Sequence, residues 1–156
     1  MMLYQIQEAV RVRTEAIVAA QPDWPCRKGC DDCCRHLASM PAVTAPEWDA
    51  IAAALDTLPR PVAEAARNRI RDSAAAARPI VCPLLDTASG TCLIYDARPV
   101  ACRAYGFYAE RQYVLGCNRI EAIAEESREV IWGNHTALEE QLRSLGLGRL
   151  LPDWLA

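Results

Sequence analysis

The chain has 156 residues, 52% of them apolar and 24% charged, with 17 basic against 20 acidic side chains and a formal net charge of -3. That length fits one compact domain with an apolar core of its own. Lys28 is the sole lysine and no basic block stands out, which excludes a nucleic-acid footprint.

Leu3, Ile6, Val10 and Ile17 recur at helical spacing and predict a first helix over residues 3–20. Gln5, Glu8, Arg11, Arg13 and Glu15 interrupt it, so it offers no apolar h-region for a signal peptide. Nowhere does the chain approach the roughly 18 uncharged apolar residues of a membrane span. The expectation is a cytoplasmic protein without membrane contact, in a compartment that keeps thiols reduced.

Pro22 and Pro25 end the first helix and lead into a cysteine cluster. A second helix opens with a capping box, Thr44 as N-cap and Glu47 three residues on, and buries Trp48, Ile51, Ala52 and Leu55. Pro59 stops it, and Pro61 starts a third helix to about Ala77. From Ile80 the texture changes, and two short apolar runs around a polar turn ending at Gly90 read as a β-hairpin. Pro99 and Gly106 bound a short helix. Ile120, Ile123, Val130 and Ile131 suggest another, closed by Gly133, and a second capping box at Thr136 and Glu139 opens the last, with Leu138, Leu142 and Leu145 inward. Scarce β-branched runs and abundant alanine agree with this count. The reading is a mainly α single domain, residues 1–156, of about five to six helices with a short β-hairpin, organised around a cysteine-bound metal site. Cysteine segments 26–36 and 80–117 flank a helical insert at 45–78.

Cys26, Cys30, Cys33 and Cys34 form C-x3-C-x2-C-C, and Cys82, Cys92, Cys102 and Cys117 follow. Thiolates are soft ligands for zinc, copper(I) or iron–sulfur centres, and close spacing lets one loop wrap an ion. Gly29 gives such a loop its freedom. Adjacent Cys33 and Cys34 point in different directions, so one is spare or each serves a different metal atom. Scattered cysteines are also commonly small buried hydrophobes, but Arg27, Lys28, Asp31 and Asp32 make the 26–34 cluster too polar for that. A disulfide framework does not suit a reduced compartment. Two four-sulfur sets are one division, and a compact triplet with a distant cysteine is nearer to iron–sulfur usage than to paired zinc knuckles. Radical-SAM enzymes share C-x3-C-x2-C, but this chain lacks the length and strand–helix alternation of their barrels.

The cluster, followed by Cys82-Pro83 and by Cys92-Leu-Ile-Tyr-Asp-Ala-Arg-Pro-Val-Ala-Cys102-Arg103, resembles the YkgJ-type cysteine-cluster family, a zinc- or iron-chelating domain. The resemblance implies that all eight cysteines are metal ligands and that Tyr95, Arg98, Pro99 and Arg103 form an accessory motif. The family's first motif is spaced C-x2-C-x2-C-C, so one extra residue stands between Cys26 and Cys30. Arg98 and Arg103, on either side of Cys102, suit the charge of a thiolate-bound centre, and equally suit a plain surface pair. Tyr95, Arg98 and Arg103 are therefore the cofactor-contacting candidates.

Among other residues, His36 is a candidate ligand or outer neighbour, and His135 is expected in a solvated loop. No catalytic triad, P-loop or dinucleotide fingerprint is present. The functional expectation is a metal-binding protein with an iron–sulfur cluster, or alternatively zinc, serving redox chemistry or metal handling. A structural zinc domain for protein contacts and a small cluster-dependent enzyme are the rivals.

Overall fold

In the computed structural model, which describes residues 1–156, helix α1 runs Leu3–Ala20 and buries Ile6, Val10 and Ile17 on one face. A single turn, α2 (Asp32–Arg35), lies inside the first cysteine cluster and was not expected from periodicity. Strand β1 (Ala42–Val43), helices α3 (Ala45–Asp56) and α4 (Arg60–Asp72) and strands β2 (Leu85–Asp86) and β3 (Thr91–Cys92) follow. Then come α5 (Val100–Ala104), β4 (Tyr108–Glu110), β5 (Tyr113–Leu115), α6 (Asn118–Glu126), β6 (Gly133–Asn134), α7 (His135–Arg143) and β7 (Arg149–Leu150).

The chain divides into two compact units, each built from two separated stretches. The first unit is Met1–Arg27 with Val100–Leu145, and the second is Lys28–Pro99 with Gly146–Ala156. In the first, Ile6, Val10 and Ile17 of α1 pack with Val100, Ala104, Ile120 and Leu138. Trp24 joins that core, stacked on Phe107 at 5.9 Å between ring centroids and tilted against Trp132 at 5.5 Å. A three-stranded sheet in the order β5-β4-β6 completes the unit, with β4 antiparallel to β5 and parallel to β6.

In the second unit, α3 and α4 contribute Ile51, Leu55, Ala66 and Ile70, all fully buried. The capping box forms as expected: the Thr44 backbone N–H and hydroxyl both donate to the Glu47 carboxylate at 2.8 Å. There the carboxylate also meets the positive end of the helix. Helix α4 stops at Asp72 rather than near Ala77, because the Ser73 hydroxyl donates to the Ile70 carbonyl at 2.5 Å and the backbone tightens into a 3₁₀ turn, Ser73–Ala75. The expected hairpin is present as β2 and β3, with Leu85 opposite Cys92. Strand β7 pairs antiparallel with β1, and Trp154 beyond it stacks on Trp48 at 6.1 Å.

Four expectations for the C-terminal half are corrected. Helix α6 ends at Glu126, so Val130 and Ile131 are not helical: Ser127 is extended and its hydroxyl accepts the Glu129 N–H at 3.3 Å. Gly133 closes no helix. It lies in β6, its N–H donating to the Phe107 carbonyl at 2.9 Å, and its bare Cα lets the Tyr108 ring lie against it. The last helix is capped by Asn134, whose side-chain oxygen accepts the Ala137 N–H at 3.0 Å, not by Thr136. His135 is therefore the first helical residue, with its side chain 25% exposed and Nε2 3.9 Å from Glu139, not a solvated loop residue. The hairpin of β4 and β5 was not read from the sequence at all.

The capping assignment sets an expected outcome. Replacing an N-cap Asn by Ala typically destabilises by about 1 kcal/mol. An exposed substitution away from such a feature stays within about 0.5 kcal/mol. In urea unfolding, Asn134→Ala lowers stability by the larger amount and Thr136→Ala by the smaller. The reverse order would restore Thr136 as the cap.

Candidate metal centre

The first cysteine cluster straddles the boundary between the units. Cys26 belongs to the first, while Cys30, Cys33 and Cys34 belong to the second together with Cys82 and Cys92. Within the second unit a short backbone ladder joins the two cysteine segments. Leu37 and Ile80 exchange both hydrogen bonds, at 2.9 and 2.8 Å, and the Cys82 N–H donates to the Cys34 carbonyl at 2.7 Å. Side chains add a second tie. The Arg35 guanidinium pairs with Asp31 at 2.6 Å and donates to the Thr87 carbonyl, in the hairpin turn, at 3.1 Å. The sequence signal for this tie is an acid and an arginine four residues apart, Asp31 and Arg35.

The ladder joins the backbone of the segment carrying Cys33 and Cys34 to that of the segment carrying Cys82. Cys33 and Cys34 are hydrogen-bonded through their side chains, and this bond, then burial, then the charge of Cys34 push the Cys33 thiol far up from its ordinary value. Burial raises Cys82 to about 11, and the charges of Cys92 and Cys33 add to the effect. Burial also raises Cys92, opposed by the Ile94 backbone N–H and by the Arg98 guanidinium. Cys33, Cys82 and Cys92 are thus unfavourable to ionise, Cys33 and Cys82 the more so when neighbouring thiols are charged. A bound cation is the group that reverses this, since it deprotonates the thiols it binds.

The cationic candidates divide as the cysteines do. Arg98 lies in the second unit, its guanidinium carbon 3.7 Å from the centroid of the Tyr95 ring and its Nε donating to the Tyr95 carbonyl at 2.9 Å. Its charge acts on Cys92, although its place in the sequence had suggested a flank of Cys102. Lys28, which the sequence reading passed over, sits above the same ring at 4.9 Å. Arg103 is on α5, in the first unit with Cys102. His36 is turned outward, its side chain 63% exposed and Nδ1 2.9 Å from the Asp32 carbonyl oxygen.

In the first unit Cys26 and Cys117 pack, partly buried, against the hydrophobic core, and Cys102 is exposed on α5. A cavity of about 740 Å³ in the second unit opens between α4 and the segment before β2, with Arg69, Asp72, Val81 and Cys82 in its walls.

The donor chemistry fits a soft metal. The candidate donors of the second unit are partly buried thiols, with the Arg98 charge acting on Cys92, and thiolates suit soft metals where calcium or magnesium requires oxygen ligands. Within neither unit do three Cys, His, Asp or Glu side chains already enclose an ion-sized space. Residues able to hold a metal in the second unit are Cys30, Cys33, Cys34, Cys82 and Cys92, with Arg98 and Lys28 to balance charge.

No curated protein and no solved structure matches the chain. A protein family does: CxxCxxCC, described as "Putative zinc- or iron-chelating domain", matches residues 25–135, well over half of the sequence and every one of its cysteines. The chain belongs to the CxxCxxCC family.

Proposed function

We propose that the chain is a metal-binding protein whose principal centre lies in the second unit, held by thiolates of Cys33, Cys34, Cys82 and Cys92 with Cys30 beside them. The observation that supports this reading is the Leu37–Ile80 and Cys34–Cys82 ladder, which joins the backbones of two cysteine segments far apart in sequence. Cys26, Cys102 and Cys117 are the remaining ligand candidates, in the first unit.

The centre is an iron–sulfur cluster in preference to zinc. Cys30-x2-Cys33-Cys34 supplies a compact triplet, and divergent neighbours such as Cys33 and Cys34 suit several metal atoms better than one tetrahedral ion. A cluster, when bound, supplies one-electron redox chemistry. The chain's own residues provide the sulfurs, bury them against α3 and α4, and set Arg98 and Lys28 beside their negative charge. Redox chemistry or metal handling in the cytoplasm is the role this supports.

Protein purified without oxygen is expected to be brown, with broad visible absorption and stoichiometric iron and acid-labile sulfide. A colourless, zinc-loaded protein would turn the reading to a structural zinc domain. Metal-free protein with all thiols reactive would sink both.

Ligand sharing has its own test. Cys33→Ser and Cys82→Ser each lower metal per chain, and the double variant loses no more than the worse single, because both sulfurs serve one centre. Losses that add up would place the two sulfurs on separate centres.

Metal removal should act on the ladder first. Structural zinc contributes about 10–16 kcal/mol in small peptides, against a whole-domain stability of about 5–15 kcal/mol. Hydrogen exchange of the Leu37, Ile80 and Cys82 amides is expected to rise steeply on chelation. Unchanged protection at all three would refute a metal bound there.

A further inference from the structure

We infer that Gly106 is the positioning residue for the Cys26 thiol: the bare Cα at 106 forms the seat on which the sulfur rests, and any side chain there displaces it. This rests on the reading of the cysteines as metal ligands and deepens it at Cys26, the one cysteine of the first cluster that belongs to the first unit. Three observations within that unit converge. Gly106 has φ +89°, a backbone state that L side chains rarely adopt, and its N–H donates to the Leu115 carbonyl at 2.5 Å, so its place between α5 and β5 is fixed. A methyl group built on Gly106 would overlap the Cys26 sulfur and approach Ile120 Cγ1 at 3.7 Å, so the seat is filled from both sides. Two residues before Cys26, the buried Trp24 stacks on Phe107, the neighbour of Gly106. Ring on ring and sulfur on Cα thus clamp residues 24–26 over 106–107.

The clamp separates what ligation needs from what folding needs. The atom that a new methyl meets is the end of a short side chain, which escapes by rotating about its single χ1 bond. The fold therefore survives Gly106→Ala at the expense of backbone strain, while the sulfur leaves its ligating direction. Gly146, at φ +123° with nothing within 4 Å of an added Cβ, supplies the control for strain alone.

The experiment measures metal per chain, unfolding midpoint and the reactivity of Cys26 toward a thiol reagent in metal-free protein. The variants are Gly106→Ala, Cys26→Ala, their double and Gly146→Ala. The inference expects Gly106→Ala to lose as much metal as Cys26→Ala, the double to lose no more, and Gly146→Ala to stay fully loaded. It also expects Cys26 to label faster in Gly106→Ala than in the parent. Removing the sulfur makes room for the methyl, so Gly106→Ala should lower the midpoint less in the Cys26→Ala background, where the double keeps the test readable if the single variant does not fold. Full metal in Gly106→Ala, or a midpoint loss unchanged by removing the sulfur, overturns the inference. Full metal in Cys26→Ala overturns it as well, and that result leaves the centre of the second unit to be judged by the Cys33 and Cys82 variants.

Discussion

The three backbone hydrogen bonds between the loop after α2 and the strand-like segment at 80–82 carry the arrangement of the second unit. They hold Leu37 against Ile80 and Cys34 against Cys82 across an intervening helical pair. Closing so long a loop in an unstructured chain has an entropic cost that grows with its length. Packing α3 and α4 offsets that cost, because Ile51, Leu55 and Ile70 join the core in which Met40, Ile80 and Leu84 are buried. The cysteine-free stretch is thus the scaffold that delivers one cysteine segment to the other. Cys82 and Cys92 pack directly against its core.

Burial of the sulfurs then shapes their chemistry. Thiols packed together out of water resist ionising singly and resist it more in company. Cys33 is pushed up by its hydrogen bond to Cys34, by burial and by the Cys34 charge, and Cys82 by burial and the charges of Cys92 and Cys33. Burial alone raises Cys92, with Arg98 as its counterweight. Tyr95 gathers two cations at its ring, Arg98 at 3.7 Å and Lys28 at 4.9 Å from the centroid, and the Arg98 charge reaches Cys92. Such an environment disfavours bare thiolates and favours thiolates bound to a metal, as a chelating domain requires.

What was legible in the sequence was local. The α1 face, the Thr44–Glu47 box and the hairpin turn ending at Gly90 each depend on residues a few positions apart, and each is found where it was read. The failures have equally physical causes. Val130 packs on the first core without being helical, so its apolar character was real but its period was not. Asn134 and Thr136 are both competent caps, and nothing within the segment decides between them. The β4–β5 hairpin turns at Arg111, which adopts φ 56° without being glycine, so the usual turn signal is missing. The ladder at Leu37 and Ile80 is a non-local pairing of single residues, with no periodicity to announce it. All eight cysteines were legible as a set, but their partition was not, because it depends on where the chain passes from one unit to the other.

That passage gives the R-P-V-A-C-R stretch its physical sense. Proline disfavours helix at the residue before it and suits the start of one after it. Pro99 accordingly leaves Arg98 in extended backbone, where its guanidinium lies over Tyr95 and its charge reaches Cys92, and lets α5 begin at Val100. Two residues further, Cys102 rides on that helix, in a different unit from Arg98. The arginine and the cysteine stand close in sequence, with one proline and the start of α5 between them. A motif that reads as a single patch of charge and thiol is thus a junction, with Arg98 in one unit and Cys102 and Arg103 in the other.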